Sequence, residues 1–277
     1  MANEDLVSYT TVSITAAKLE MAQKLPVTFN PDMLTTLNAK YNVLPTVSPT
    51  VIPKIRYFGI GTMGKYNADD MNGSSAYKPK MAEMDLYNPI PFRVVPVDED
   101  LSAQERVKYR MRTRKTIKGS EYFCYWLKLI EFPTGIELVR INPKTHEEEP
   151  YELDPTNLNP TPSKPSASGT TEGTVQEIKA QVKGLVTITG AEVVEAVKVF
   201  YGDLRYAVVS ELALYSGEDK DVTGTTEAGT SFAYVESIYT QLQVKQTNLG
   251  IPMTNTESVD RRNVIFSSGS TMAKIMN

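Results

Sequence analysis

The chain has a single cysteine, Cys124, and a single histidine, His146, among its 277 residues. One cysteine excludes an intramolecular disulfide framework and any cysteine-rich zinc site. One histidine excludes multi-histidine metal centres and leaves little basis for histidine acid–base chemistry. No apolar run approaches the roughly 20 residues needed to span a bilayer; stretches such as Tyr206 to Val209 are strand-sized. The opening Met1-Ala2-Asn3-Glu4-Asp5 is acidic and lacks an apolar stretch behind it, so no signal peptide is expected. The expectation is a protein made in a cytoplasm that either stays there or leaves as part of something assembled there. Basic charge is not in excess either. Lys plus Arg is 29 against 33 for Asp plus Glu, a formal charge of −4, which argues against a dedicated nucleic-acid binder. No repeat of roughly 20–50 residues and no sustained heptad is present, which excludes solenoids and coiled-coil shafts.

What is present is globular composition, with 41% hydrophobic and 22% charged residues. The sequence predicts a mostly β-rich α+β protein. Its parts are an N-terminal helical and extended arm (1–50), a β-rich domain with long loops (51–153), a linker (154–174) and a C-terminal strand–helix–strand domain (175–277). Residues 11–42 are the most helical stretch, with a second start signal at Asn30-Pro31-Asp32 and an end at Asn42. Residues 54–58 read as a strand, and 59–96 as a stretch with little regular structure, punctuated by turn formers and prolines. Ser102 to Glu105 fits a capping box. Tyr109 to Arg114 alternates with period two, Lys118-Gly119-Ser120 is a turn and Tyr122 to Ile130 is an aromatic strand, together a β-hairpin. Residues 136–141 are a further strand. The run 154–174 is rich in Pro, Ser, Thr and Gly and cannot bury enough surface to fold alone. Beyond it the pattern predicts a strand at 185–189, a helix at 191–200, a strand at 206–215, a polar loop at 216–229, a stretch over 231–244 that is one strand or a short helix, with Ile238-Tyr239, Leu242 and Val244 favouring the strand, and a last strand at 263–266.

Few motifs carry chemistry. Gly59-Ile60-Gly61-Thr62-Met63-Gly64 matches the dinucleotide fingerprint G-x-G-x-x-G, but a turn-rich run follows it where an apolar crossover helix is required. The pattern is therefore read as a tightly packed turn, and no cofactor is expected. His146-Glu147-Glu148-Glu149 is read as a solvated hairpin tip, and Glu218, Asp219 and Asp221 as a polar turn without calcium-loop spacing. Cys124 is expected to be buried. Asp98, Glu99 and Asp100 are the carboxylates a hydrolase reading would use, with only their adjacency to favour it. No catalytic or metal-ligating residue is assigned.

The candidate interface is the basic strand and its aromatic partner. Arg110, Arg112 and Arg114 fall on one strand face by alternation, and Tyr122, Tyr125 and Trp126 lie on the facing strand. Guanidinium groups in a row suit carboxylates or phosphates. The readings are a solvated edge strand whose charge blocks aggregation, an interface with an acidic protein partner, or a nucleic-acid contact.

Val209-Ser210-Glu211-Leu212-Ala213-Leu214-Tyr215 resembles a strand-and-turn of fibre-attachment and baseplate proteins of tailed bacteriophages. Asp85 to Phe92, followed by Val97 to Arg106, is similar to virion structural proteins of large tailed phages. The resemblance implies a non-enzymatic component of a tail, baseplate or neck that assembles with other virion structural proteins as a homo- or hetero-oligomer. The alternative it leaves is a neck or connector protein whose basic strand meets packaged DNA. No membrane partner is expected. Extended proline-rich arms and 15 tyrosines suit a chain that wraps its neighbours.

Overall fold

The structure is a computed structural model that describes residues 9–12, 37–43, 53–65, 79–80, 85–133, 137–141, 145, 147–150, 152, 177–226 and 229–268. The fold is mostly β-sheet with few helices. The chain forms two compact units, Met1–Ile130 with Thr187–Arg261, and Glu131–Val186 with Arg262–Asn277.

The first unit is built on an eight-stranded sheet. Its strands are β1 (Tyr9–Val12), β2 (Lys54–Gly61), β3 (Pro89–Ile90), β4 (Arg93–Pro96), β5 (Tyr109–Ile117), β6 (Ser120–Leu129), β10 (Val208–Thr225) and β11 (Ser231–Pro252). The order is β1-β11-β10-β2-β6-β4, with β3 beside β2 and β5 beside β6. Every pairing given for it is antiparallel; β5–β6 and β10–β11 are joined directly in sequence, whereas β1–β11, β10–β2 and β2–β6 bring together strands far apart in the chain. The core is aromatic and branched: Tyr57, Ile60, Phe92, Tyr125, Leu127 and Tyr215 are almost wholly buried. Helix α1 (Leu37–Tyr41) packs against β11. Helix α2 (Ala103–Arg106) begins at the Ser102–Glu105 capping box that the sequence predicts. Helix α3 (Gly190–Phe200) starts at a second box, Thr189 with Glu192, and buries Val193, Val194 and Val197.

The second unit holds most of a four-stranded sheet of order β12-β9-β7-β8. Its strands are β7 (Glu137–Ile141), β8 (Glu148–Pro150), β9 (Glu177–Thr189) and β12 (Val259–Ser268).

The β5–β6 hairpin forms as its sequence predicts. Ile117 pairs with Ser120, and Lys118 and Gly119 both take positive φ, 50° and 85°. That is the two-residue primed turn whose twist suits a right-handed ribbon. Asn42, the predicted helix end, is left-handed at φ 56°.

Three expectations need correction. Residues 59–96 hold more regular structure than expected: β2 runs to Gly61, and β3 and β4 follow. The prolines deceive because Pro89 opens a strand and Pro96 closes one, positions a missing donor tolerates. The loop expected at 216–229 is strand as far as Thr225. Its polarity misleads because beyond Gly217 β10 pairs with β11 alone among the described strands, and a two-stranded ribbon needs little apolar alternation. Thr11 and Val12 belong to β1 rather than to a helix. The start signal at Asn30, the linker at 154–174 and His146 lie outside the described residues.

Candidate functional site

The predicted interface residues lie on the β5–β6 hairpin, and each arginine meets a carboxylate of its own chain. Burial deepens from Arg114, exposed, through Arg112, half-buried, to Arg110, buried. Arg114 pairs with Glu121 across the hairpin. Arg112 donates to Asp100 Oδ2 from Nε at 3.0 Å and Nη2 at 2.8 Å. Arg110 makes a two-pronged bond to Asp219, 2.9 Å from Nε and 3.1 Å from Nη2, and also donates to the carbonyls of Val107 and Tyr109. Tyr57 donates to Asp219 Oδ1 at 2.8 Å. Burial opposes ionisation of Asp219, but the hydrogen bonds from Arg110 and Tyr57 and the charges of Arg110 and Arg56 outweigh it and hold the carboxyl below its ordinary range. Asp219 is thus a structural partner that the sequence alone presents only as a turn residue.

The aromatic partners are mostly interior. Tyr125 donates to Asp100 Oδ1 at 2.7 Å. Trp126 donates to Thr113 Oγ1 at 2.6 Å, stacks on Tyr41 at 4.6 Å and meets Phe200 edge-on at 5.8 Å. Tyr122 is half-buried opposite Pro96 and Lys115. Cys124 is buried, as expected, and burial pushes its thiol up to about 12, which leaves it without nucleophilic character at neutral pH.

Edge strand β5 is capped from the side by β11. Met111 has φ 55°, and the amides of Met111 and Arg112 both bond to the Glu236 carboxyl, which also accepts from Ser237 N at 2.8 Å. Glu236 is buried, and that burial raises its pKa to about 7 against the pull of these donors.

Beside this clamp is a cleft of about 380 Å³, lined by Val97, Asp98, Asp100, Arg106, Arg112 and Phe123 together with Thr226 and Phe232 from the end of the β10–β11 ribbon. The Arg112 guanidinium lies 3.4 Å from the Phe123 ring centre, and Arg106 lies 4.6 Å from that of Phe232. The sequence brings Asp98, Asp100, Arg106 and Arg112 close together in the chain, but only the ribbon closes the wall. For a hydrolase reading, Asp100 is poorly placed: both its oxygens already accept hydrogen bonds.

Two motifs noted separately in the sequence turn out to be halves of one packing unit. Strand β10 pairs with β2 so that Glu211 faces Gly61, Ala213 faces Gly59 and Tyr215 faces Tyr57. A Cβ at Gly59 would stand 2.7 Å from Tyr215 Cε2, one at Gly61 would stand 2.9 Å from Glu211 Oε2, and one at Gly64 would overlap the Glu211 side chain. The glycines therefore admit a buried glutamate rather than a pyrophosphate. Glu211 Oε2 accepts from Tyr87 N at 2.9 Å, and Lys245 Nζ stands 3.7 Å from Oε1. Burial raises the pKa of Glu211, with Lys245 opposing. Close by, Asp85 accepts from Tyr215 and Leu86 N and pairs with Lys40.

The class defined here is a β-rich α+β protein with carboxylate–arginine clamps and, among the described residues, a small polar–aromatic cleft. No group of potential metal ligands and no helix long and apolar enough to cross a membrane occurs among the described residues. The chain belongs to DUF7208, a family of unknown function, whose model matches residues 1–262. No curated protein matches it, and no solved structure does.

Proposed function

We propose that the chain is a structural subunit of a tailed-phage virion, in the baseplate or its periphery, that works by assembly with other virion proteins. The sequence resemblance supplies the class, and one structural observation supports the mechanism. From Glu218 to Thr225, β10 pairs with β11 and with no other described strand. Among the described residues no further strand lies along the other edge of this eight-residue stretch, and a sheet edge is the kind of template onto which a neighbouring chain adds a strand. The charged Lys220 and Asp221 on it discourage indiscriminate pairing and favour a partner of matching charge pattern.

The neck reading, with DNA on the basic strand, is less well supported, because Arg110, Arg112 and Arg114 each hold an internal carboxylate. Mass spectrometry of purified virions tests the main proposal: the chain is expected at fixed stoichiometry in intact particles, and its absence from them would refute the assignment. Salt-dependent DNA binding by the purified chain would instead favour the neck.

A further inference from the structure

We propose that the cleft at the end of the β10–β11 ribbon binds a carboxylate carried on an apolar or aromatic body. The inference stands whether or not the chain is a virion component.

The cleft, at about 380 Å³, is at the small end of the roughly 300–1,000 Å³ range of ligand pockets. Its polar groups are unequally committed. Asp100 accepts from Leu101 N and Tyr125 at Oδ1 and twice from Arg112 at Oδ2, and Arg106 Nη2 lies 3.6 Å from Oδ2. A carboxylate has roughly four acceptor positions, so Asp100 has none to offer a cation. The two arginines are not used up. Arg112 commits Nε and Nη2 to Asp100, and Arg106 commits Nη2 to the Leu101 carbonyl. The Arg106 Nε is buried without a partner, whereas Nη1 of both residues is neither hydrogen-bonded nor buried. The lining sets Arg106 and Arg112 against Asp98 and Asp100, but Asp100 is spent on hydrogen bonds within the fold, and the guanidinium donors left over match a carboxylate in shape and charge.

Phe123 and Phe232 hold the guanidiniums by their ring faces without occupying these donors. With Val97 they give apolar walls for the body of the ligand. Asp98, exposed and part of the lining, opposes a second negative charge. A singly charged carboxylate is therefore favoured over a phosphate.

The test uses the purified full chain and ligand-observed NMR with four probes. They are phenylacetate, the blocked dipeptide acetyl-Phe-Glu-amide, phenylacetamide and inorganic phosphate. At least one carboxylate probe is expected to bind, and the amide and phosphate are not. Binding of phenylacetate alone identifies a free organic acid as the source, and binding of the dipeptide alone identifies an acidic residue of a partner chain. Arg106→Gln is expected to weaken binding by roughly tenfold or more with an unchanged circular dichroism spectrum. Should that variant fail to fold, Phe232→Leu carries the same expectation. The proposal is overturned if neither carboxylate binds, if the amide or phosphate binds as well as the acid, or if binding survives the folded variant unchanged.

Discussion

Glu236 is a carboxyl group held where ionisation is costly. Its pKa of about 7 in the fold, against 4.5 for the free side chain, means that the folded protein binds a proton the unfolded chain has released between those values. Stability from this group is therefore full below pH 4.5 and declines as pH rises to 7, by about 3 kcal/mol for the complete shift. Urea unfolding at pH 5 and pH 8 is expected to show the wild type losing stability at the higher pH and Glu236→Gln losing less. Equal losses in the two proteins would remove Glu236 as the cause. Gly64 makes a steric claim of the same kind. Gly64→Ala drives a Cβ into Glu211 and is expected to cost about 3 kcal/mol. A double-mutant cycle with Glu211→Ala is expected to show strong coupling, because the shortened side chain removes the clash.

Among the elements, the ribbon is anchored by Asp219, and the anchor is asymmetric. Asp219→Ala would leave Arg110, 6% exposed along its side chain, as a buried charge without its carboxylate, at a cost of about 3 kcal/mol. Because the Asp219 pKa is lowered in the fold, its contribution is present above the unfolded value near 3.8 and vanishes as pH falls through the folded one. Acid unfolding of the wild type below pH 4 should thus be steeper than that of Asp219→Asn. The capping of α3 is a smaller effect: Thr189→Ala is expected to cost about 1 kcal/mol, read as a lowered denaturant midpoint. The hairpin, the Ser102–Glu105 capping box and the end at Asn42 were legible in the sequence because turn and cap chemistry is local. Strand identity at Ser216–Thr225 was not, because the partner that makes it a strand lies in 231–243 and leaves no period-two trace on a polar ribbon.

At the scale of the whole molecule, polar side chains serve as internal fasteners. Asp85, Glu192, Glu211 and Glu236 are buried carboxylates, and each has a named donor or cation from a distant part of the chain. Glu192, for instance, receives Lys128 at 2.6 Å and Tyr109 at 2.7 Å while also completing the α3 cap. Assembly through the ribbon edge predicts a measurable change in the whole protein. Hydrogen exchange of amides in 218–225 is expected to slow when the chain is incorporated into particles, and unchanged exchange there would rule out this edge as the contact.

The sequence by itself determined the β-rich class, the hairpin, the capping box of α2 and the buried thiol, and a single cysteine and a single histidine leave no material for a cysteine-rich or multi-histidine metal site. Each of these follows from composition or from residues within a few positions of one another. Only the tertiary structure decided that the arginines are internally paired, that the glycine motif makes room for Glu211 and that a cleft opens beside Phe232. Arg110 meets Asp219 109 residues away and the space at Gly64 is filled by Glu211 from a distant strand; even for the near pairs of Arg112 with Asp100 and Arg114 with Glu121, a linear pattern does not encode which of many carboxylates a guanidinium will meet.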